Sequence, residues 1–396
     1  MSLITPPTPG PPVLVPNNIR VMVVDDAIIV RSLLSRWIEE TPGLQLVAAL
    51  RNGREAIERL DQANPDVVIL DVEMPELDGI ATLPKLLEWR RDLVVIMASA
   101  LTRHHAEMTL KALALGAADY IPKPEAEGGV MTSLSFKRDL IEKIRALGLR
   151  HRRRPLTSPC AVRTSAPSTP RLAGAVQRAG PWQVAPDDSE LRSFKLRPFS
   201  AAIPRVLLIG ASTGGPQALT KLISHLDAVA EIAPILITQH MPPTFTTILA
   251  EHLSRAGAKP VREAVNGELV LAGNIYLAPG GKHMRVSRHN GEAVIAVDDG
   301  PPVNFCKPAV DPLFSSAAAV WGVWNLALIL TGMGTDGSAG ANDIVAAGGS
   351  VIAQDEATSV IWGMPGAAAA TGACSAVLPL DQIAPRTARL FLGATP

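Results

Sequence analysis

The chain is poor in cysteine, carries no excess of either charge and has no long apolar run, and each shortage removes a class of protein. Its 396 residues include 3 cysteines, Cys160, Cys306 and Cys374. They are widely separated, odd in number and lack a C-x-x-C pair, which argues against a zinc signature or a disulfide framework and fits a reducing cytosol. We read them as inert. The 37 Lys and Arg balance 37 Asp and Glu, whereas a dedicated nucleic-acid binder should carry a basic excess. No apolar stretch approaches the roughly 18 residues that suggest a membrane span. The first eighteen residues hold six prolines (Pro6, Pro7, Pro9, Pro11, Pro12, Pro16) but no basic segment leading into an apolar one, so a disordered lead-in is expected rather than a secretory signal. The expectation is a cytoplasmic protein that neither binds nucleic acid nor inserts into a membrane. What the chain does have is 47% hydrophobic residues, enough for two or more domains of roughly 100–200 residues.

The balanced charge is unevenly spread. Residues 145–197 hold eleven Lys and Arg against three acids, a net +8, which leaves −8 for the rest. This segment is also rich in Pro, Ser and Thr and loses all apolar period beyond about Leu149, the marks of a flexible linker. Its H-R-R-R run reads as a solvated basic tether, with a docking patch for an acidic partner as the other reading. The expected division is a lead-in over 1–18, a first domain over 19–147, a linker over 148–202 and a second domain over 203–393.

On both sides of the linker, short apolar runs alternate with amphipathic stretches. Before it come 21–24, 44–48, 67–70, 93–97 and 119–121, with helix-like segments such as Ile28–Glu39, Arg54–Leu60 and His104–Leu115 between them. After it come 206–210, 234–239, 274–278, 326–331 and 350–354, with helix-like stretches such as Gln217–His225 and Thr246–Ala256. Buried strands alternating with helices imply right-handed, doubly wound parallel sheets. The fold class is therefore α/β, two doubly wound parallel-sheet domains joined by the linker; the family resemblances given below imply a flavodoxin-like first domain and a Rossmann-like second. A hairpin is expected around Met284–Val297, because Asn290-Gly291 is a strong two-residue turn signal.

Ligands of such sheets sit beyond the carboxyl ends of the strands. In the first domain those positions hold Asp25, Asp26, Asp71, Ser99 and Lys123. Three converging carboxylates repel one another unless a hard cation such as Mg²⁺ neutralises them. A lysine and a hydroxyl beside them suit a phosphoryl group on a carboxylate. Taken singly, each Asp could merely cap a helix. Taken together, V-V-D-D, V-I-L-D-V-E-M-P-E-L-D-G, A-S-A and Y-I-P-K-P resemble the response-regulator receiver domain over about residues 19–145. The resemblance implies Asp71 as phosphoacceptor and Asp26 and Asp71 as direct Mg²⁺ ligands. Asp25 would help through water, the Glu73 backbone carbonyl would complete the site, and Ser99 and Lys123 would be switch residues. Lys123-Pro124 matches the family's cis-peptide position, and Pro122 is a departure from its pattern.

In the second domain, strand 206–210 runs into Ala211-Ser212-Thr213-Gly214-Gly215-Pro216 and a helix. Gly210-x-Ser212-x-Gly214 fits an exposed nucleophile on a strand-to-helix turn. It also fits a phosphate-cradling loop, which would expect an acid near the end of the next strand, where Gln239 and His240 stand instead. His240 and the loop Thr331–Gly337, which carries Asp336, follow two further strands, so a Ser-His-Asp set is available at one sheet edge. His283 is the main rival base, ahead of His225, His252 and His289, and Asp311, Asp343 and Asp355 are rival acids.

G-A-S-T-G-G, T-Q-H-M, Y-L-A-P-G-G-K-H-M, P-A-V-D-P-L-F and L-T-G-M-G-T-D-G together resemble the catalytic domain of the chemotaxis protein-glutamate methylesterases, the CheB family, over about residues 203–393. The resemblance implies Ser212 as nucleophile, His240 as general base and acid, and Asp336 as orienting carboxylate. Thr213 and the Met333 backbone would contribute to the oxyanion hole. Phe305, Cys306 and Ala309 depart from the family's form and bear on substrate contacts. The implied reaction is hydrolysis of glutamyl methyl esters, and deamidation of glutamines, on chemoreceptors, with no cofactor for the esterase and a chemotaxis histidine kinase as phosphodonor. The unphosphorylated first domain is expected to cover the triad. Two other readings stay open: a phosphorylation-controlled binding module with an inactive esterase-like domain, and a nucleotide-binding regulator using the 210–215 loop.

Overall fold

A computed structural model describes residues 18–123, 129–153 and 194–393. The lead-in over 1–17, the Lys123-Pro124 bond and most of the linker lie outside the described residues.

The first domain alternates strand and helix in strict order: β1 (Ile19–Val24), α1 (Ile28–Glu39), β2 (Leu44–Leu50), α2 (Gly53–Ala63), β3 (Val67–Asp71), α3 (Gly79–Trp89), β4 (Val94–Ser99), α4 (Arg103–Ala114), β5 (Asp119–Pro122) and α5 (Gly129–Arg153). All strand pairs are parallel, in the order β2-β1-β3-β4-β5. The alternating pattern predicts a doubly wound parallel sheet, and this strand order is the flavodoxin-like one that the receiver resemblance implies. Successive β1 residues point to opposite faces: Met22 and Val24 join the core under α2, α3 and α4, while Ile19, Val21 and Val23 pack with α1 and α5. Local chemistry sets where the helices begin. Asn52, Asp78 and Thr102 each accept a backbone N–H of the first turn of α2, α3 and α4, an N-cap that satisfies an otherwise orphaned donor.

The second domain runs β6 (Val206–Ala211), α6 (Gly215–Ile223), α7 (Asp227–Ile232), β7 (Ile235–Gln239), α8 (Phe245–Ala256), β8 (Val261–Glu263), β9 (Ile275–Leu277), β10 (His283–His289), β11 (Glu292–Asp298), α9 (Val310–Trp321), β12 (Asn325–Ile329), α10 (Ser338–Ala346), β13 (Ser350–Gln354), α11 (Met364–Ala370), β14 (Ala376–Leu378) and α12 (Leu380–Phe391). Seven strands form a parallel sheet in the order β14-β13-β12-β6-β7-β9-β8, and β10 and β11 form the expected antiparallel hairpin. The chain winds outward from β6 in one direction through β7 and returns to wind in the other from β12. The crevice between the carboxyl ends of β6 and β12 is thus the topological switch point, where doubly wound sheets bind ligands. Leu207 and Ile209 pack on the α6, α8 and α12 side, whereas Val206 and Leu208 pack on the α9, α10 and α11 side.

Both ends of the segment read as linker belong to the domains. Helix α5 continues to Arg153. Residues 194–202 lie on the second domain, where the Arg197 N–H donates to the Cys374 carbonyl at 3.0 Å and the Ser200 N–H to Ser350 Oγ at 2.8 Å. Phe194 meets the Trp362 ring edge-on at 5.3 Å.

The two domains pack together through α4, β5 and α5 of the first. Helix α4 rests on α6 and α8. The Tyr120 ring stacks on Phe245 with centroids 4.9 Å apart and planes 10° from parallel. Gln217 Nε2 donates to the Ala117 carbonyl at 3.0 Å, and Arg103 pairs with Glu251 at 2.7 Å. A single apolar cluster consequently runs from under α2–α4 into the face beneath α6 and α8.

Candidate active site

Three strand ends converge at the switch point. β6 delivers Ser212 into a turn closed by the Gly215 N–H donating to the Ser212 carbonyl at 2.7 Å. Gly214, at φ +76°, makes the left-handed step that starts α6. The Ser212 N–H donates to the Thr331 carbonyl beyond β12 at 3.0 Å, and the His240 N–H beyond β7 donates to the Ala211 carbonyl at 3.1 Å. These bonds knit the loops of β6, β7 and β12 together around the serine. The approach is close: a Cβ on Gly332 would stand 2.8 Å from Ser212 Cβ.

Of the sequence-derived set, His240 and Asp336 are directly joined. His240 Nε2 donates to Asp336 Oδ2 at 2.7 Å, which leaves Nδ1 as the imidazole's other nitrogen. Asp336 is buried and sits at the start of α9, where the N–H groups of Val310 and Asp311 donate to it at 2.6 and 3.1 Å; Gly337 N–H and Asn304 Nδ2 add 3.0 and 3.2 Å contacts. A helix N-terminus favours a carboxylate through its free N–H groups and its dipole. Burial alone would raise the Asp336 pKa, but His240 and these donors outweigh it and bring it down to about 2. For His240, burial pulls the other way from its neighbours: the Cys306 sulfur and Asp336 overcome desolvation and push the imidazole up to about 10. Ser212 Oγ makes no hydrogen bond among the described residues.

The rivals are occupied elsewhere. His283 is buried with both ring nitrogens used, Nε2 toward the Pro301 carbonyl at 3.0 Å and Nδ1 toward the Ala309 N–H at 3.2 Å, so it braces the 301–309 loop. His225 bonds the Lys221 carbonyl from the helix surface, and His252 and His289 stand on α8 and at the hairpin end. Asp343 accepts from Ser315 and Asp355 from Thr358. Asp311 lies close, accepting from Gly340 N–H at 2.7 Å and Asn304 Nδ2 at 3.1 Å. Desolvation, reinforced by the Asp336 charge, raises its pKa to about 6.

Thr213 is placed in an unforeseen way. Its hydroxyl faces the first domain and donates to Asp119 Oδ2 at 2.9 Å, in a buried contact that Lys143 completes from α5. Met333, on the β12 loop, is half-buried. Sequence reasoning missed Asn304, Gln239 and Asp119. Gln239 Nε2 donates to the Ser212 carbonyl at 2.9 Å and to the His240 carbonyl at 3.3 Å, and its place beside His240 at the end of a strand was the one available signal.

In the first domain, one oxygen from each of Asp25, Asp26 and Asp71 lies within 4.8 Å of the others. Lys123 Nζ bridges Asp25 at 2.8 Å and Asp71 at 2.6 Å. Desolvation raises the Asp71 pKa to about 6, with Asp25 adding to it and Lys123 opposing. Ser99 is buried and accepts from Thr109 Oγ1 at 2.8 Å while donating to the His105 carbonyl at 3.3 Å, so its hydroxyl is tied to α4. The Glu73 side chain turns to His104 and His105, at 3.5 and 3.4 Å.

Two family models match the chain: CheB methylesterase over residues 207–387 and response regulator receiver domain over 21–135. A Rhodopseudomonas palustris protein named protein-glutamate methylesterase/protein-glutamine glutaminase is 58% identical over 375 residues, covering 95% of this chain and 94% of its own. A Bradyrhizobium diazoefficiens protein of the same name, of group 2 operon, is 57% identical over 378 residues with 95% and 94% coverage. The solved Thermotoga maritima CheB methylesterase catalytic domain is similar at 39% identity and TM-score 0.46, over 48% of this chain and 100% of that one. With that identity sustained across both domains, the chain belongs to the protein-glutamate methylesterase/protein-glutamine glutaminase family, a receiver domain followed by a CheB methylesterase domain.

Proposed function

We propose that this chain is a phosphorylation-activated serine hydrolase that demethylates glutamate methyl esters, and deamidates glutamines, on the cytoplasmic helices of chemoreceptors. The observation that carries the reading is the His240–Asp336 pair, with Asp336 buried at the start of α9 and the His240 N–H bonded to the Ala211 carbonyl, one residue before Ser212. Ser212 Oγ attacks the side-chain carbonyl carbon while His240 Nδ1 takes its proton. Asp336 fixes Nε2–H and stabilises the imidazolium. The developing oxyanion is received by the Thr213 and Met333 N–H groups. Collapse of the tetrahedral intermediate breaks the ester C–O bond, or the amide C–N bond of glutamine, and His240 returns the proton to the leaving group to give methanol or ammonia. Water, deprotonated by His240, then opens the acyl-enzyme to glutamate.

The receiver supplies control. Its three carboxylates form a hard oxygen donor set with their ligand atoms already gathered, which fits Mg²⁺. Asp26 and Asp71, with Asp25 and the Glu73 carbonyl, would hold the ion, which neutralises the pocket and the phosphoryl oxygens when bound. Asp71 takes the phosphoryl group from a chemotaxis histidine kinase, Lys123 balances its charge, and Ser99 must leave Thr109 and the His105 carbonyl to reach it. In the closed arrangement the enzyme rests, with Thr213, the neighbour of Ser212, tied to Asp119 of the receiver. No described helix is long and apolar enough to cross a membrane, and the protein acts in the cytoplasm, where those receptor helices lie.

A covalent serine probe and a methanol-release assay test the reading. A fluorophosphonate should label Ser212, faster after acetyl phosphate and Mg²⁺, with labelling lost in Ser212→Ala and His240→Ala. The same treatment should release methanol from methylated receptors. A chain that neither labels nor releases methanol is a binding module, and the esterase reading fails.

A further inference from the structure

We infer that the turn Val303–Cys306 is a substrate-docking element, and that the Phe305 ring determines specificity by packing on the receptor helix beside the esterified glutamate. This rests on the esterase reading above.

The turn is a tight two-residue reversal, closed by the Val303 N–H to Cys306 carbonyl bond at 3.1 Å and its reciprocal at 2.8 Å. Its central residues, Asn304 and Phe305, have φ +51° and +63°. Such a turn favours Asn-Gly because both positions are left-handed. The chain uses that solution at its other tight hairpin, where Asn290 and Gly291 have φ +51° and +88°. At 305 an aromatic stands where glycine would fit without strain. Core burial does not compensate, since Phe305 is 81% exposed, the most exposed large hydrophobic among the described residues. Strain and exposure at one side chain both vanish in glycine, so a role in recognition is the remaining reason to keep the ring.

Position supports that role. The turn is fastened to the catalytic pair, with Asn304 Nδ2 donating to Asp336 Oδ1 at 3.2 Å and the next side chain, Cys306, beside His240. A ring held rigidly there meets whatever flanks the ester as it reaches Ser212. The receiver touches the same ring, with the Arg138 guanidinium 4.0 Å from its centroid. That contact leaves the ring largely exposed and worth little as a latch. Its consequence is that one face of the docking ring is capped while the domains are closed and freed when they part.

The full-length chain, activated with acetyl phosphate and Mg²⁺, separates docking from chemistry. For Phe305→Gly, KM on a methylated receptor cytoplasmic fragment should rise about tenfold with kcat within about twofold, the signature of lost uniform binding. Hydrolysis of p-nitrophenyl acetate, which has no flanking helix, should change far less. Thermal stability should hold or rise, because glycine relieves the turn, and Phe305→Leu should recover part of the KM. An unchanged receptor KM in Phe305→Gly overturns the proposal. So does an effect confined to higher unphosphorylated activity and shared with Arg138→Ala, which would make the ring a receiver latch. A wild-type chain inactive on both esters sinks the esterase reading itself and the inference with it.

Discussion

His240 is the residue on which the site's electrostatics turn. In a triad the imidazole must be neutral to accept the Ser212 proton, yet here the Cys306 sulfur and Asp336 hold it charged up to about 10. The base form therefore appears only as pH rises, and the acid limb of the kcat/KM profile should lie on the alkaline side of an ordinary histidine. Replacing Cys306 with Ser removes one of the two groups that raise the value while leaving Asp336 in place. The limb should then move toward lower pH by on the order of one unit, with the activity gain greatest near neutrality. A profile that does not shift would mean Cys306 has no electrostatic role. That Ser212, His240 and Asp336 gather at one sheet edge was legible because each follows an apolar strand. Cys306 was read as inert, since nothing in the order of residues reveals that a loop 66 positions after His240 folds back over it. Asn304, which donates to Asp336, was hidden for the same reason, and Asp311 could be named only as a rival acid, without its N–H bond to Asp336.

At the scale of elements, strand ends and the glycines beside them fix the geometry. Gly332 lies where the β12 loop passes the nucleophile, and an added Cβ would meet Met364 Sδ at 2.4 Å as well as Ser212 Cβ at 2.8 Å. Met364 can swing aside; Ser212 is anchored by its N–H and carbonyl bonds and can yield only by moving the nucleophile. Gly332→Ala should therefore slow fluorophosphonate labelling by about 100-fold, as expected of a displacement near 1 Å, at a stability cost of about 1–3 kcal/mol for overpacking. Labelling at the wild-type rate would show that the loop can relax around a methyl group. The long buried strands and the helices with clear apolar periods were readable because burial on both faces demands near-continuous apolar runs. β8 and β14 were not, being three-residue edge strands with too few positions to show a pattern. α3 also escaped the reading, and it carries Pro84 inside the helix. The linker's ends were misplaced in character rather than in kind: an arginine-rich composition masks the last turns of α5, and Phe194 and Phe199 are too isolated to announce that they pack on the second domain.

On the scale of the whole molecule, the switch and the enzyme share one packed interface, and no motif foretold which surfaces would meet. Tyr120 lies three residues before Lys123, the cation that holds Asp71, and its ring is stacked on Phe245 of the esterase. Asp119, the preceding residue, holds Thr213 beside the nucleophile. A phosphoryl group on Asp71 that draws Lys123 and Ser99 toward it acts on the same β4–β5 edge that carries these contacts, which gives the charge change a direct route to the interface. The interface can be weakened without touching the core, the pocket or the triad, through the exposed pair Arg103–Glu251. Such a pair is worth only about 0.2–1 kcal/mol, but Glu251→Arg replaces attraction by repulsion between α4 and α8. If closure suppresses the enzyme, Glu251→Arg should raise methanol release by the unphosphorylated chain several-fold, by the arithmetic of about 1 kcal/mol in a two-state equilibrium. The phosphorylated rate should stay near wild type, since those molecules are already open. Adding Arg103→Glu restores opposite charges in reversed order and should return the basal rate toward its original level, a recovery that general loosening of the fold could not produce. High salt should shrink the difference between the variants, because both charges face solvent. A basal rate indifferent to both substitutions would mean that the α4–α8 contact does not hold the domains closed, and that phosphorylation acts on Ser212 by another path.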